Sequence, residues 1–192
     1  MKKLTTGLLL VFIALSSVCS AQAFEKGSNV VSAGIGFGSS ILNYTGSSQS
    51  PGISFSYENG TFEAGDDGVI SLGGYLGFKS YKYHYTEGEY STTDKWNYTM
   101  IGLRSAYHYT AIGNEKIDVY GGLMLSYNIL KYKYEDNYSG NSGDYTSEGD
   151  YGSSFGFTAF VGGRYYFTDH LAAMAELGYG VAYLTLGLSF KL

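Results

Sequence analysis

Tyr183-Leu184-Thr185-Leu186-Gly187-Leu188-Ser189-Phe190-Lys191-Leu192 closes the chain. Leu184, Leu186, Leu188, Phe190 and Leu192 form an apolar set, and Thr185, Gly187, Ser189 and Lys191 lie between them as a small or polar set. Period two sustained over ten residues is the signature of a β-strand with one apolar and one polar face. A long strand at the edge of a sheet offers unpaired backbone groups to any neighbour, and pairing it with the first strand of the same chain removes that edge. The stretch therefore predicts a closed barrel in which residues Val30 to Phe37 are the antiparallel partner of the last strand.

The same alternation recurs upstream. Val31, Ala33, Ile35 and Phe37 mark the first strand, Ile53, Phe55 and Tyr57 the second, and Ile70, Leu72, Leu76 and Phe78 the third. Ile101, Leu103, Tyr107 and Tyr109 mark the fourth, Ile117, Val119, Leu123 and Leu125 the fifth, Phe155, Phe157, Ala159 and Val161 the sixth, and Leu171, Ala173, Ala175 and Leu177 the seventh. With the terminal strand this makes eight. An even number returns both chain ends to one side of an antiparallel up-and-down barrel. Polar stretches at 39–50, 85–94 and 135–150 read as long loops, and Gly113 to Lys116 and Thr168 to His170 as short turns. Two connections read as exceptions: Asn59 to Gly68 is long on the side of the short turns, and Gly180 to Ala182, after the seventh strand, is very short on the side of the long loops. Strands three to six also look longer than a membrane crossing needs, which predicts a wall projecting outward.

Residues 1–23 read as an export signal: Lys2 and Lys3, an apolar core from Leu8 to Leu15, and Ala21-Gln22-Ala23 as an A-x-A cleavage pattern. The core is too short to span a bilayer, which takes about 20 residues. Val18 before Cys19 is not the small residue that lipidation would call for. Cleavage before Phe24 leaves residues 24–192 as one domain without a cysteine. Without Lys2 and Lys3, ten basic residues face 17 acidic ones, a net charge of −7 with no basic tract for nucleic acid. The content of 28 Gly, 21 Tyr, 11 Phe and a single Pro favours strands. No stretch after the signal is long and apolar enough for a membrane helix.

Period two alone does not say which face is inside. A soluble barrel buries its aliphatic side chains, whereas a membrane barrel turns them to lipid. Here one face is nearly free of charge and the other carries Lys79, Arg104, Arg164 and Glu176 among Gly, Ser and Thr. Ionised groups in a dry interior are costly unless paired, so the polar face is read as a lumen holding Lys79, Arg104, Arg164 and Glu176 in a polar network. Tyr81, Tyr83, Tyr127, Tyr132 and Tyr134 toward the loops, and Tyr107, Tyr109, Tyr165 and Phe167 toward the turns, suggest aromatic girdles at the two lipid–water boundaries.

Gly73-Gly74-Tyr75-Leu76-Gly77, Phe160-Val161-Gly162-Gly163-Arg164-Tyr165-Tyr166-Phe167 and the terminal Leu-Gly-Leu-Ser-Phe-Lys-Leu give the chain a resemblance to outer-membrane β-barrel proteins of the opacity and OmpA/OmpX type. The resemblance implies an eight-stranded transmembrane barrel in the outer membrane of a Gram-negative bacterium, with short periplasmic turns and longer external loops. It also implies insertion by the barrel-assembly machinery, with Leu186, Leu188, Phe190 and Leu192 as the insertion strand. Such proteins usually end in an aromatic residue; here Phe190 stands two before Leu192.

An eight-stranded barrel is just wide enough for side chains to fill it. The expected function is thus a structural or surface-interaction barrel, a monomer in outer-membrane lipid that meets an extracellular partner through loops 39–50, 85–94 and 135–150. A narrow porin-like channel is the alternative, and a lipid A-modifying enzyme the second. The enzyme reading lacks a visible Ser–His pairing: His84 lies near the outer rim with no spaced serine partner, and no catalytic residue, metal or cofactor is expected. The acidic residues Asp136, Asp144, Glu148 and Asp150 do not follow the spacing of a calcium loop.

Overall fold

The computed structural model describes residues 23–38, 48–87, 90–137 and 145–192. The predicted signal segment through Gln22 lies outside these residues, as do the middles of three external connections. Among the described residues nine strands follow one another in the order β1 Asn29–Phe37, β2 Ser48–Gln49, β3 Gly52–Glu63, β4 Gly68–Glu87, β5 Tyr90–Tyr109, β6 Ile117–Asn137, β7 Tyr145–Tyr166, β8 Leu171–Gly178 and β9 Leu184–Lys191. Each barrel strand pairs antiparallel with its neighbours, and the ring runs β4-β3-β1-β9-β8-β7-β6-β5 and back to β4. The two-residue β2 lies outside the ring, on β4 through Ser48↔Lys82 and Gln49↔Tyr81.

The seam is the one the terminal stretch predicts. β1 and β9 pair from Val30↔Lys191 to Phe37↔Leu184, and Leu192 N–H donates to Asn29 O at 2.8 Å. Neither end of the ring is left as a free edge at this level, which is the stable solution for a sheet in lipid, where backbone groups find no water.

The polarity of the barrel is inverted. Leu103, Phe155, Phe157 and Val161 are 73%, 78%, 69% and 59% exposed, while Arg104 and Arg164 are 4% and 2% exposed. Apolar side chains that shun water on so large a continuous surface need another apolar phase around them. On β5 the outward apolar run from Thr99 to Tyr109 covers ten residues of rise; at about 3.4 Å each and a tilt near 40° this spans roughly 26 Å, the height of a lipid-facing band.

Several connections differ from the sequence-based expectation. The anticipated long turn at Asn59–Gly68 is mostly strand: β3 continues to Glu63 and β4 begins at Gly68. A bulge between Gly60 and Phe62 lets β3 bend and carry on, because an extra unpaired residue increases local twist without ending the ladder. The segments expected as loops at 85–94 and 135–150 are likewise largely strand. β4 and β5 stay in register up to Glu87↔Tyr90, and β6 and β7 up to Asp136↔Tyr145. Cross-strand pairing satisfies their backbone groups, so a polar composition does not prevent a ladder. Gly152, at φ +99, sits where β7 shifts register between Ile129 and Lys131 of its partner; this positive-φ position favours glycine.

The upper aromatic girdle also differs. Tyr81, Tyr83, Tyr132 and Tyr134 follow the inward parity of Lys79 and Leu130, and Tyr81 is buried. Tyr127 is outward as expected, and Phe155, Phe37 and Tyr183 join it on the outside. The lower girdle holds Tyr107, Tyr109, Tyr165 and Phe167 on the outside as expected.

β1 and β9 approach closely at Gly187, where a Cβ would run into Ala33 O and Gly34 Cα. Gly187→Val should lower barrel stability by about 1–3 kcal/mol, the cost of overpacking. Gly163→Val, whose nearest neighbour is Asp118 O at 3.6 Å, should be almost neutral. The temperature at which the folded, fast-migrating gel band converts to the slow one measures both.

Candidate functional site: the lumen ion network

Inward parity gathers charged side chains from strands that are far apart in sequence. Glu58 on β3, Arg104 on β5, Asp118 on β6, Arg164 on β7 and Glu176 on β8 all project into the lumen. Arg164 is the centre. Its Nη1 donates to Asp118 Oδ2 at 2.8 Å, its Nη2 to Glu58 Oε2, and its Nε to Ser189 Oγ at 3.2 Å. Glu58 reaches the second arginine with its other oxygen, 3.1 Å from Arg104 Nε. Arg104 Nη2 then donates to Glu176 Oε2 at 2.7 Å, which also accepts from Tyr120 O–H at 3.2 Å.

A second arm leaves from Asp118. Its Oδ1 lies 2.8 Å from His108 Nδ1, and His108 Nε2 lies 3.0 Å from Ser71 Oγ. Ser189 and Ser32 complete the circle with their hydroxyls 2.7 Å apart. One connected network thus touches all eight strands of the ring, from Ser32 on β1 to Ser189 on β9. Aromatic faces shield it: the guanidinium of Arg104 lies 4.0 Å from the Phe160 ring centroid, and that of Arg164 lies 4.5 Å from Tyr120. Cations held over such faces away from water are stabilised by the ring quadrupole.

Little space is left beside Arg104, while a cavity of about 210 Å³ lined by Phe24, Tyr109 and Asp118 opens at the turn end. The cavity beside Arg104, lined by Tyr75, Met124, Phe160 and Glu176, measures about 10 Å³, room for about one water at most. At the turn end Phe24 stacks on His108 with ring centroids 3.6 Å apart and planes 7° from parallel. Gly27 N–H donates to Gly60 O at 2.7 Å and Gly60 N–H to Ser28 O at 2.9 Å, which holds this N-terminal segment across the mouth.

Of the four residues read as the lumen network, the structure brings Arg104, Arg164 and Glu176 together through Glu58. Lys79 stands apart near the outer mouth, where its Nζ donates to Gly38 O at 2.5 Å and lies 5.5 Å from the Tyr81 ring centroid. Sequence reasoning did not name Glu58, Asp118, His108 or Ser71 as members. Asp118 shares the parity of Tyr120 and Met124, a signal available from alternation. Glu58 is harder to place, because strand pattern beyond it is interrupted by the bulge at Gly60.

Ser71, His108 and Asp118 stand in the order of a nucleophile, a base and an orienting carboxylate. Chemistry of that kind needs a substrate carbonyl beside the hydroxyl. Ser71 and His108 are each 0% exposed, and Phe24 covers the imidazole face. His84, the rim histidine, hydrogen-bonds Thr93 Oγ1 at 2.9 Å and Thr86 Oγ1 at 3.1 Å. Asp136, Glu148 and Asp150 fall on β6 and β7, while Asp144 lies outside the described residues. Among the described residues no group of three or more metal-binding side chains converges.

The profile of the family described as outer membrane protein beta-barrel domain matches residues 11–188. No curated protein sequence matches the chain. Among solved structures, the attachment invasion locus protein Ail of Yersinia pestis is similar at 12% identity, covering 87% of this chain and 96% of that one, with a TM-score of 0.43. Ail in complex with the heparin analogue sucrose octasulfate matches at 13% identity with the same coverage and a TM-score of 0.44. The N-terminal β-barrel domain of Pseudomonas aeruginosa OprF matches at 15% identity, covering 87% of this chain and 98% of that domain, with a TM-score of 0.44.

Removing one partner from a buried ionic network leaves the others without compensation, at a cost of about 3–5 kcal/mol. Arg164→Met should therefore destabilise the barrel by that amount, and Ser189→Ala by about 1 kcal/mol, the worth of one hydrogen bond. Adding Glu58→Gln and Asp118→Asn to Arg164→Met should recover part of the loss, since the orphaned charges are gone. Guanidinium unfolding in detergent micelles gives the three values.

Proposed function

The chain belongs to the outer membrane protein beta-barrel family, and on that premise we propose that it is a non-enzymatic surface barrel that binds an extracellular partner through its projecting wall. The observation that carries this reading is the mismatch in strand length. β4 to β7 run for 20, 20, 21 and 22 residues, whereas β1, β8 and β9 have 9, 8 and 8. Beyond the lipid-facing band, β5 continues from Thr99 to Tyr90, nine residues of rise, or roughly 23 Å outward.

The wall has an open flank. β7 pairs with β8 only from Phe160 to Tyr166, so residues 145–159 meet β6 alone among the described strands. An exposed strand edge is a template for main-chain hydrogen bonds to an added strand, with side-chain pockets supplying selectivity. The inner face of the wall carries rings as well: Trp96 and Tyr132 lie 5.5 Å apart by centroid, and Tyr132 O–H donates to Asp94 Oδ1. Rigid amphipathic rings offer contact area at low entropic cost.

The ion network is the plug in this reading, and it favours a surface role over transport. In this reading residues 1–23 direct export and are cleaved off before Phe24, and the β9 residues Leu186, Leu188, Phe190 and Leu192 present the insertion face to the assembly machinery and then to lipid.

Two measurements test the proposal. In planar bilayers the purified barrel should give no steady ohmic current; persistent openings would overturn the plug. In a trimmed variant, Asn-Gly replaces residues 83–94 and again residues 134–147. Cells bearing it should keep the heat-modifiable barrel but lose adhesion to matrix-coated surfaces. Undiminished adhesion would remove the wall as the binding element.

A further inference from the structure

Residues Phe24 to Ser28 form a strap across the turn-end mouth of the barrel. Gly27 and Ser28 are bonded to Gly60 through the backbone, Glu25 N–H donates to Ser28 Oγ at 3.0 Å, and Phe24 packs with Val30 and Val69 in one buried cluster. A Cβ at Gly60 would run into Glu25 O, so β3 admits the strap only because it has glycine there. Phe24 is 1% exposed. The residue before it is buried as well, since Ala23 packs with Tyr166 and Ala172. The Ala23–Phe24 bond, the expected cleavage point, is thus enclosed in the folded barrel. A protease that cuts extended peptide does not reach it there, so cleavage comes before the strap is seated.

Around this point the ion network is incomplete in two respects. The first is charge. The connected network sets two cations, Arg104 and Arg164, against three carboxylates, Glu58, Asp118 and Glu176. Lys79 stands at the other mouth, and Lys191, at the rim opposite Val30, has a contact of its own. A buried carboxylate short of positive charge is costly. The second is a hydroxyl. Among the described residues three buried side-chain polar atoms lack a hydrogen bond: Glu58 Oε1, Arg104 Nε and Tyr166 Oη. The first two face each other at 3.1 Å as an ion pair. That leaves the Tyr166 hydroxyl alone, at 3% exposure, on the side chain that packs against Ala23. Buried polar groups in native structures find partners, so an orphan marks a place where a donor or acceptor belongs.

Cleavage before Phe24 supplies both. Water takes the Ala23 carbonyl to a carboxylate, the C–N bond breaks, and the Phe24 nitrogen becomes an α-ammonium with three donors. The strap keeps that nitrogen in place, and departure of Ala23 opens space beside it against Tyr166. Phe24 and Asp118 line the same cavity of about 210 Å³. The Phe24 ring is stacked on His108, whose Nδ1 lies 2.8 Å from Asp118 Oδ1. Asp118 gives one oxygen to His108 and the other to Arg164, and a carboxylate accepts about four bonds. It therefore has lone pairs left for a further donor.

We propose that the α-ammonium of Phe24, created by the cleavage before Phe24 on which this rests, is the third cation of the lumen network, held by Asp118 and the Tyr166 hydroxyl. Processing then does more than release the chain from its leader. It makes the new N-terminus a structural group of the barrel. In the mature chain the strap closes over a balanced network. In a chain that keeps its leader it closes over one carboxylate too many and an orphaned hydroxyl.

N-terminal sequencing of the barrel recovered from outer membranes should read Phe24 first. Any other first residue overturns the cleavage reading and the proposal with it. The remaining measurements test the ammonium alone. A chain starting at Phe24, cut from a fusion that leaves no added residue, is refolded in detergent micelles beside one starting at Ala21, which keeps a neutral peptide N–H at Phe24. In the folded Phe24 chain the α-amine should react with acetic anhydride about tenfold more slowly than in urea, with the exposed Lys26 and Lys116 as reference amines in the same digest. The fast-migrating gel band of the Phe24 chain should survive to about 5 °C above that of the Ala21 chain, the shift expected of one charge-assisted hydrogen bond. Y166F should lower this temperature in the Phe24 chain. In the Ala21 chain, where the hydroxyl has no partner to lose, it should leave the temperature equal or raise it. Phe24 acting through its ring alone does not give that difference. D118N should speed α-amine labelling severalfold, and Y166F decides the matter if D118N does not fold. Labelling of the folded α-amine at the urea rate, or the same response to Y166F in both chains, would overturn the ammonium as a member of the network.

Discussion

Arg164 cannot be buried alone. A guanidinium with 2% exposure in the middle of a barrel is tolerable only if carboxylates meet it with good geometry and their remaining lone pairs are satisfied in turn. Glu58 and Asp118 meet it, His108 satisfies the far side of Asp118, Arg104 Nε lies 3.1 Å from the far oxygen of Glu58 as an ion pair without a hydrogen bond between them, and Glu176 and Ser71 end the two arms. The requirement propagates until a partner from every strand has been recruited. Each of the eight strands must stand in its observed register for the circuit to close. A slip of one residue on any of them would carry its member to the lipid face, where an ionised group has no partner. The network therefore specifies register, although its net contribution to stability is offset by the desolvation of its charges.

The same constraint divides the labour between the two faces. Polar side chains spent on the lumen leave the outside free to be aliphatic, and the outside carries Leu103, Phe157 and Val161 without a charged residue among them. Above the lipid the outward face changes character at once, from Ile129 to Lys131 and Lys133. The inward face changes more gradually, from arginine and glutamate to Tyr98, Trp96 and Tyr132. Tyrosine serves both levels of the inner face because its ring packs and its hydroxyl finds a partner, as Tyr120 does with Glu176 and Tyr132 with Asp94.

Alternation made the ring legible from sequence. Period two located all eight barrel strands, the terminal stretch identified its own partner, and four charged residues on the polar face indicated an inverted barrel. Strand ends were less legible. Glu87↔Tyr90 and Asp136↔Tyr145 are paired even though their neighbours are Ser, Thr, Gly and Asp, because a hairpin satisfies backbone groups whatever the side chains are. Composition reports solvation, and on a wall standing clear of the membrane both faces are solvated. Bulges were invisible for a different reason. The extra residues near Gly60 and Gly152 shift parity by one, so an alternation count carried through them assigns every later residue to the wrong face. Membership of the ion network was only partly legible, since a glutamate at a strand end and a histidine near a turn look the same in sequence whether they meet an arginine or water.

A filled lumen and a projecting wall are linked by leverage. Strands that extend roughly 23 Å above the lipid-facing band are a cantilever, and a cantilever keeps its shape only if its base is stiff. The base of this one is the set of strands whose inward residues include Arg104, Asp118 and Arg164, the most heavily bonded part of the barrel. An open channel would need water where those groups lie, and hydrated side chains exchange partners instead of holding one geometry. Rigidity at the base and conduction through it are therefore competing uses of the same eight-stranded lumen. On the function proposed above, arginines joined on both sides by carboxylates, with a cavity of about 10 Å³ beside Arg104, serve the first.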